Sequence, residues 1–291
     1  MKKPLFILLI MFTILVLVAC GGSETLSNLQ DTPEPPPQNS NEIDSDADGG
    51  SEELTLAPLV SVGDIINFGE IDWLVLDVQS DRVLIISWYI LDIRAYHGTN
   101  ELITWEYSDI RHYLNNEFMY NRFTPDEILQ IAETTLINSN NQWFGTDGGN
   151  DTIDRVFLLS IEEVVRYFGD SGKLGNQPQA HYWGISDEFN LNRIAYLHDS
   201  VDVSAVVTDL PITPGGSWSW WLRSPGGQTK FPGIAAVAYV LPATFMPDMS
   251  DMTEREIMAW ETEANLGGTI DVEGTPVYMH IGVRPALWLY R

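Results

Sequence analysis

Past residue 58 the chain sorts into short apolar runs divided by turn residues, and the period of each run predicts its element. Residues 62–68, 72–78 and 82–91 carry alternating or continuous Val, Ile, Leu and Trp. Gly69-Glu70 and Ser80-Asp81 divide them, which predicts three strands in a meander. Ser108 ahead of Ile110, Tyr113 and Leu114 predicts a short capped helix over 108–115. Thr124-Pro125-Asp126-Glu127 is a capping box with proline at the first helical position, opening a helix to about residue 132. A second box, Ser160-Ile161-Glu162-Glu163, directly follows an apolar strand over 155–159. Between the two boxes, 138–154 reads as a polar Gly/Asn/Asp loop. Residues 169–217 read as loops with a short helix near 190–197, followed by strands at 234–241 and 269–272.

Two further runs are expected to organise the core. Residues 218–227 read WSWWLRSPGG and residues 281–290 read IGVRPALWLY. Tryptophans at this density are costly to leave in water, so Trp218, Trp220, Trp221 and Trp288 are assigned to the core. Pro225 and Pro285 interrupt the runs, which favours strand ends, edges or bulges. Arg223 and Arg284 sit among these apolar neighbours, where an arginine needs a lasting partner. They are expected to reach inward to a carboxylate or a carbonyl. The competing reading makes them a bidentate clamp for a ligand's carboxylate or phosphate.

Strands, then helices, long loops and strands again predict an α+β fold, mainly antiparallel sheet with two or three short helices. The ordered set DWLVLDVQSDRVLIIS, TWEYSDIRHYLNNEF, RVFLLSIEE, WWLRSPGG and GVRPALWL resembles a bacterial domain-of-unknown-function family of surface proteins and lipoproteins. The layout also resembles the C-type-lectin-like fold shared with formylglycine-generating enzymes. That resemblance implies no such enzyme activity here, because the folded part lacks the cysteines it needs. Nor does it imply calcium-dependent sugar binding. Gln177-Pro178-Gln179 lacks the carboxylates of the lectin motif, and no Trp-Asn-Asp follows.

Composition changes the picture mainly at the N-terminus. Lys2 and Lys3 precede an apolar run over 5–18 that is short for a bilayer span. Leu17-Val18-Ala19-Cys20 then resembles a bacterial lipobox. The resemblance implies a signal peptide over 1–19 and lipid attachment at Cys20. Cys20 is the single cysteine, which excludes disulfides and thiolate sites from the rest of the chain. Residues 20–58 are rich in Pro, Ser, Asn and acids, without lysine or arginine, and are expected to be a disordered acidic tether. A single globular domain is expected over 59–291. The net charge is −26, and removing the signal would take two lysines more. Such a chain is a poor partner for nucleic acid, and its membrane contact is expected through the lipid alone.

The remaining candidates are aromatic and acidic. Trp105 with Glu106, Trp143 in Asn-Gln-Trp-Phe-Gly, and Trp183 are the ligand-binding candidates, suited to stacking on sugar rings or gripping a protein segment. Trp143 is the one most expected to be exposed. Glu101, Glu106 and Asp109 around Trp105 fit a carboxylate pair for glycoside hydrolysis, but acidic loops are common in so acidic a chain. Asp147, Asn150, Asp151 and Asp154 fit either a hard-cation site or a polar loop. No metal, cofactor or catalytic residue is assigned. The expectation is a lipid-anchored extracytoplasmic protein, a non-catalytic binding module for a glycan or a protein. A glycan-processing enzyme and a structural envelope protein are the alternatives.

Overall fold

Strand β3, Arg82–Ser87, is buried along Val83, Leu84, Ile85 and Ile86, so both its faces pack against protein and its sequence runs apolar without alternation. The computed structural model describes residues 60–177, 184–203, 215–227, 235–242 and 267–291. These lie in one unit spanning Thr55–Arg291. The architecture is α+β, with mainly antiparallel sheets and few helices.

Three strands open the domain as a meander: β1 (Ile65–Phe68), β2 (Ile71–Val78) and β3. Gly69 and Glu70 both take positive φ, +58° and 59°, as a tight hairpin requires of its two central residues. Phe123 packs on Phe68 and Trp73 from outside this meander. Strand β4 (Asp92–Arg94) leaves for a second sheet.

A helical stretch follows, in which a 3₁₀ turn (Trp105–Tyr107) leads into α1 (Asp109–Tyr113). A π turn over Leu114–Phe118 then leads into α2 (Met119–Arg122). Helix α3 (Pro125–Gln130) starts at the Thr124 capping box. Strands β5 (Thr134–Leu136) and β6 (Thr152–Asp154) pair as a small separate sheet, so the end of the polar 138–154 stretch is strand. After β7 (Val156–Phe157), helix α4 (Ile161–Phe168) begins at the Ser160/Glu163 box and buries Ile161, Val164, Val165 and Phe168 along one face. Strand β8 (Gly184–Ile185) and helix α5 (Asn190–Arg193) are short.

The tryptophan-rich run forms β9 (Trp220–Pro225), in which all six residues are buried. It lies inside a six-stranded sheet of order β4-β12-β9-β10-β11-β8, with β10 at Ala236–Val240 and β11 at Ile270–Pro276. The C-terminal run is two strands, not one. β12 (Ile281–Val283) joins β9 in parallel through Gly282 and Trp220, whereas β13 (Ala286–Tyr290) crosses to the five-stranded sheet β1-β2-β3-β13-β7. Arg284 and Pro285 make the crossing, and the Ser87 amide donates to the Pro285 carbonyl there. The proline cannot donate to a ladder, which is why the strand breaks at this point.

Candidate functional site

Arg223 points from β9 to the start of α4. Its two terminal nitrogens donate to the two carboxylate oxygens of Glu163, the Nη2–Oε1 contact measuring 3.0 Å. Its remaining donors reach the Leu158 carbonyl at 2.9 Å, the Ile137 carbonyl at 3.3 Å and Asn138 Oδ1 at 3.2 Å. The neighbouring Ser224 hydroxyl accepts the Ile161 amide. Every arm of Arg223 is therefore occupied within the fold.

Arg284 is 2 % exposed and has no carboxylate partner among the described residues. Its Nε donates to the Ser87 carbonyl at 2.9 Å, and its guanidinium lies 5.2 Å from the Trp220 ring and 5.5 Å from that of Phe168. Its Nη1 has no hydrogen-bond partner. Burial pushes the guanidinium down to about 9, so it stays charged at neutral pH.

The tryptophans proposed as ligand contacts need correction. Trp143 is 9 % exposed and donates from its indole to the Leu174 carbonyl at 2.8 Å, so it is not an open stacking platform. Its loop is pinned by buried Asn141, which donates to the Pro225 and Val272 carbonyls and accepts from the Trp143 and Phe144 amides. Trp105 is 1 % exposed and donates to Asp154 at 2.9 Å. Trp183 lies outside the described residues, as does Cys20. Trp220, Trp221 and Trp288 are buried, and Trp218 is half-buried against the core.

Glu106 keeps a place at a surface site. An open cleft of about 460 Å³ runs between the 3₁₀ turn, α1 and the π turn on one side and Glu133 with residues 153–155 on the other. Trp105 fixes its edge from beneath through Asp154. That buried carboxylate also accepts from Arg111 Nε at 2.7 Å and the Thr152 hydroxyl at 2.7 Å. The π turn turns Asn115 inward, where its amide accepts the Arg155 and Val156 N–H groups and donates to the Val156 carbonyl. Single π turns inside helices occur often at functional sites. Glu106 accepts from Asn150 at 3.0 Å, and Arg155 pairs with Glu133 at 3.1 Å. Tyr107, 67 % exposed, stands beside Glu106, whose carboxylate pushes the phenol above its ordinary range. His112, Asn116 and Ile153 are exposed around the same opening.

A family described as a domain of unknown function, DUF6273, matches residues 80–291. The chain belongs to this family. No curated protein and no solved structure matches it. The match starts in the β2–β3 turn and takes in every residue of the cleft.

Within the DUF6273 domain the acids of the 138–154 stretch are committed to the backbone and to neighbours. Asp147 accepts the Gly149 amide, Asp151 the Asn138 amide, and Asn150 serves Glu106. Among the described residues no cluster of three or more His, Asp or Glu is placed to hold a metal ion. Nor is any helix among them long and apolar enough to cross a membrane. Glu101 and Asp109 do not face Trp105. They flank His97, with Glu101 Oε1 2.9 Å from Nε2 and Asp109 Oδ2 3.1 Å from Nδ1.

Sequence reasoning passed over Arg111, Asn115 and Arg155, which hold the cleft together, and weighed Asp154 only as a cation ligand or a loop acid. Nothing local pointed to the partners of Asn115 and Asp154, which lie about forty residues away in the chain. Buried Arg193, paired with Asp187 at 2.9 Å, was also passed over, although its partner lies only six residues away.

Proposed function

We propose that this DUF6273 protein is a binding module that takes a glycan in the Glu106–Tyr107 cleft. A tether over 20–58, attached to the cell membrane by a lipid on Cys20, holds it outside the cytoplasm. One observation carries the reading: an exposed tyrosine stands beside a fixed carboxylate–amide pair on the rim of an open polar cleft. A sugar ring offers an apolar face and a fringe of hydroxyls. Tyr107 meets the first, and Glu106, Asn116, His112 and the Arg155–Glu133 pair meet the second. Both arginines there are paired with carboxylates, Arg111 with Asp154 and Arg155 with Glu133, and the chain carries a large excess of acid, which favours a neutral ligand over an anionic one.

A C-type-lectin-like fold fits this reading. The last strand, β13, returns to pair with β3 near the start of the domain, and the central β9-β10-β11 set stands in a second sheet with long connections. A screen of the mature protein against immobilised glycans, run beside Tyr107→Ala, tests the proposal. Binding that the substitution lowers at least tenfold supports it. Capture of a protein partner with no glycan signal would replace it.

A further inference from the structure

Helix α1 divides two openings. Arg111 and His112 line the glycan cleft, whereas Asp109 and Tyr113 line a second space, of about 430 Å³, that shares no lining residue with it. Strand β4 supplies the facing wall with Asp92 and Arg94, which lie two residues apart and so on one side of the strand. Asp109 and Tyr113 are four apart on the helix and so follow one another along one side of it. Asp202 and His280 also line this space.

Arg94 is held more firmly than a surface arginine usually is. Its Nε donates to Asp92 Oδ2 at 2.7 Å, and the Tyr113 hydroxyl donates to the same oxygen at 2.8 Å. The guanidinium carbon lies 3.6 Å from the centre of the Tyr113 ring, which fixes the plane of the group. These contacts use Nε and one face. The two terminal nitrogens, the fork that suits a carboxylate, reach no carboxylate or carbonyl among the described residues, and the side chain is 42 % exposed. Asp109 brings the opposite charge to the same space. It is 63 % exposed, its Oδ2 accepts the Gly98 amide at 2.8 Å and lies 3.1 Å from His97 Nδ1, and it is not within ion-pair distance of Arg94.

We infer that this opening takes a small zwitterion of the amino-acid class, its free carboxylate on the Arg94 fork and its ammonium on Asp109. A ligand with both charges bridges a cation and an anion that line one space without pairing. A ligand with a carboxylate alone would be opposed by Asp109, by Asp202 and by a chain of net charge −26. Because Asp92 and Tyr113 already order Arg94, binding costs little of the side-chain entropy that a free arginine would lose. A free amino acid and a short peptide offer the same two charges at different spacing. The inference does not depend on the glycan reading of the cleft.

Calorimetric titration of the mature protein with alanine and dialanine, each also in N-acetylated and in C-amidated form, tests this. Acetylation removes the ammonium and amidation the carboxylate, with the rest of the molecule unchanged. The expected result is a zwitterion that binds at least about tenfold more tightly than either of its blocked forms, the order given by one charge-assisted hydrogen bond. The tighter of the two zwitterions names the source, free amino acid or peptide. Arg94→Gln should erase the loss caused by amidation, and Asp109→Asn the loss caused by acetylation. No binding of either zwitterion, or blocked forms that bind as tightly, would overturn the inference on the wild-type protein alone. An amidation loss that persists in Arg94→Gln would overturn it too.

Discussion

Glu163 receives both terminal nitrogens of Arg223 while its Oε2 also accepts the Ser160 amide at 2.9 Å. The acid that caps helix α4 is thus the acid that neutralises the arginine of the central strand. One carboxylate ties the helix start to the middle of the second sheet.

Arg223→Met should therefore lower stability by about 3 kcal/mol in chemical denaturation, because it leaves Glu163 and two backbone carbonyls without their cation. Because Glu163 is only 26 % exposed, water offers it limited compensation. A change below about 0.5 kcal/mol would show that the pair is not a structural tie.

Arg284→Met should behave differently. With no carboxylate beside it, this arginine carries its desolvation almost alone, so an apolar replacement of similar length should be neutral or stabilising. The sign of the pH effect follows from its lowered value. From about 9 up to the ordinary guanidinium range the unfolded chain binds more protons than the folded one, so Arg284 adds stability as pH rises across that window. Denaturation of wild type minus Arg284→Met should show this rise from pH 9 to 11 and no slope below it. A flat difference across the whole range would contradict it.

Asp187 gives the opposite limb. Burial pushes its carboxyl up, but hydrogen bonds from Arg193 and Ser171 and the Arg193 charge more than offset this and hold it below its usual value. Its contribution is complete above the unfolded value near 3.8 and is lost as pH falls through the lower folded value. Asp187→Asn should destabilise the protein at pH 7 and flatten its acid limb below pH 4. An unchanged acid limb would remove the pair from the account.

Much of the frame was legible because it depends on local signals. The meander, both capping boxes and the burial of the β9 tryptophans each follow from period or turn chemistry within a few residues. The splitting of the C-terminal run was written in Pro285, but which sheet each half would join was not, since strand partners are chosen at long range. Trp143 shows where the reading failed. Its Asn, Gln and Gly neighbours read as an exposed loop, yet Asn141 satisfies four backbone groups at once and carries the loop inward. An amide that replaces a strand's hydrogen bonds looks in sequence like any polar loop residue.

That difference separates two aromatics experimentally. Trp143→Ala should cost about 3 kcal/mol or more of stability, as truncation of a buried aromatic does. Tyr107→Ala should change stability by less than about 0.5 kcal/mol, as an exposed residue does, while weakening ligand binding. Equal thermal shifts for the two variants would contradict the assignment.

The tether is tested separately. Cys20→Ser should abolish lipidation and leave the protein uncut or released to the medium. Recovery of that variant with membranes after a high-salt wash would count against the anchor.

The most direct measurement is amide chemical-shift mapping of the isotopically labelled mature protein during titration with a bound oligosaccharide. The account predicts that the largest shifts fall on residues 106–119, 133 and 153–155, around the cleft. Largest shifts on Asp92, Arg94 and His280, which line a different opening of about 430 Å³, would contradict it.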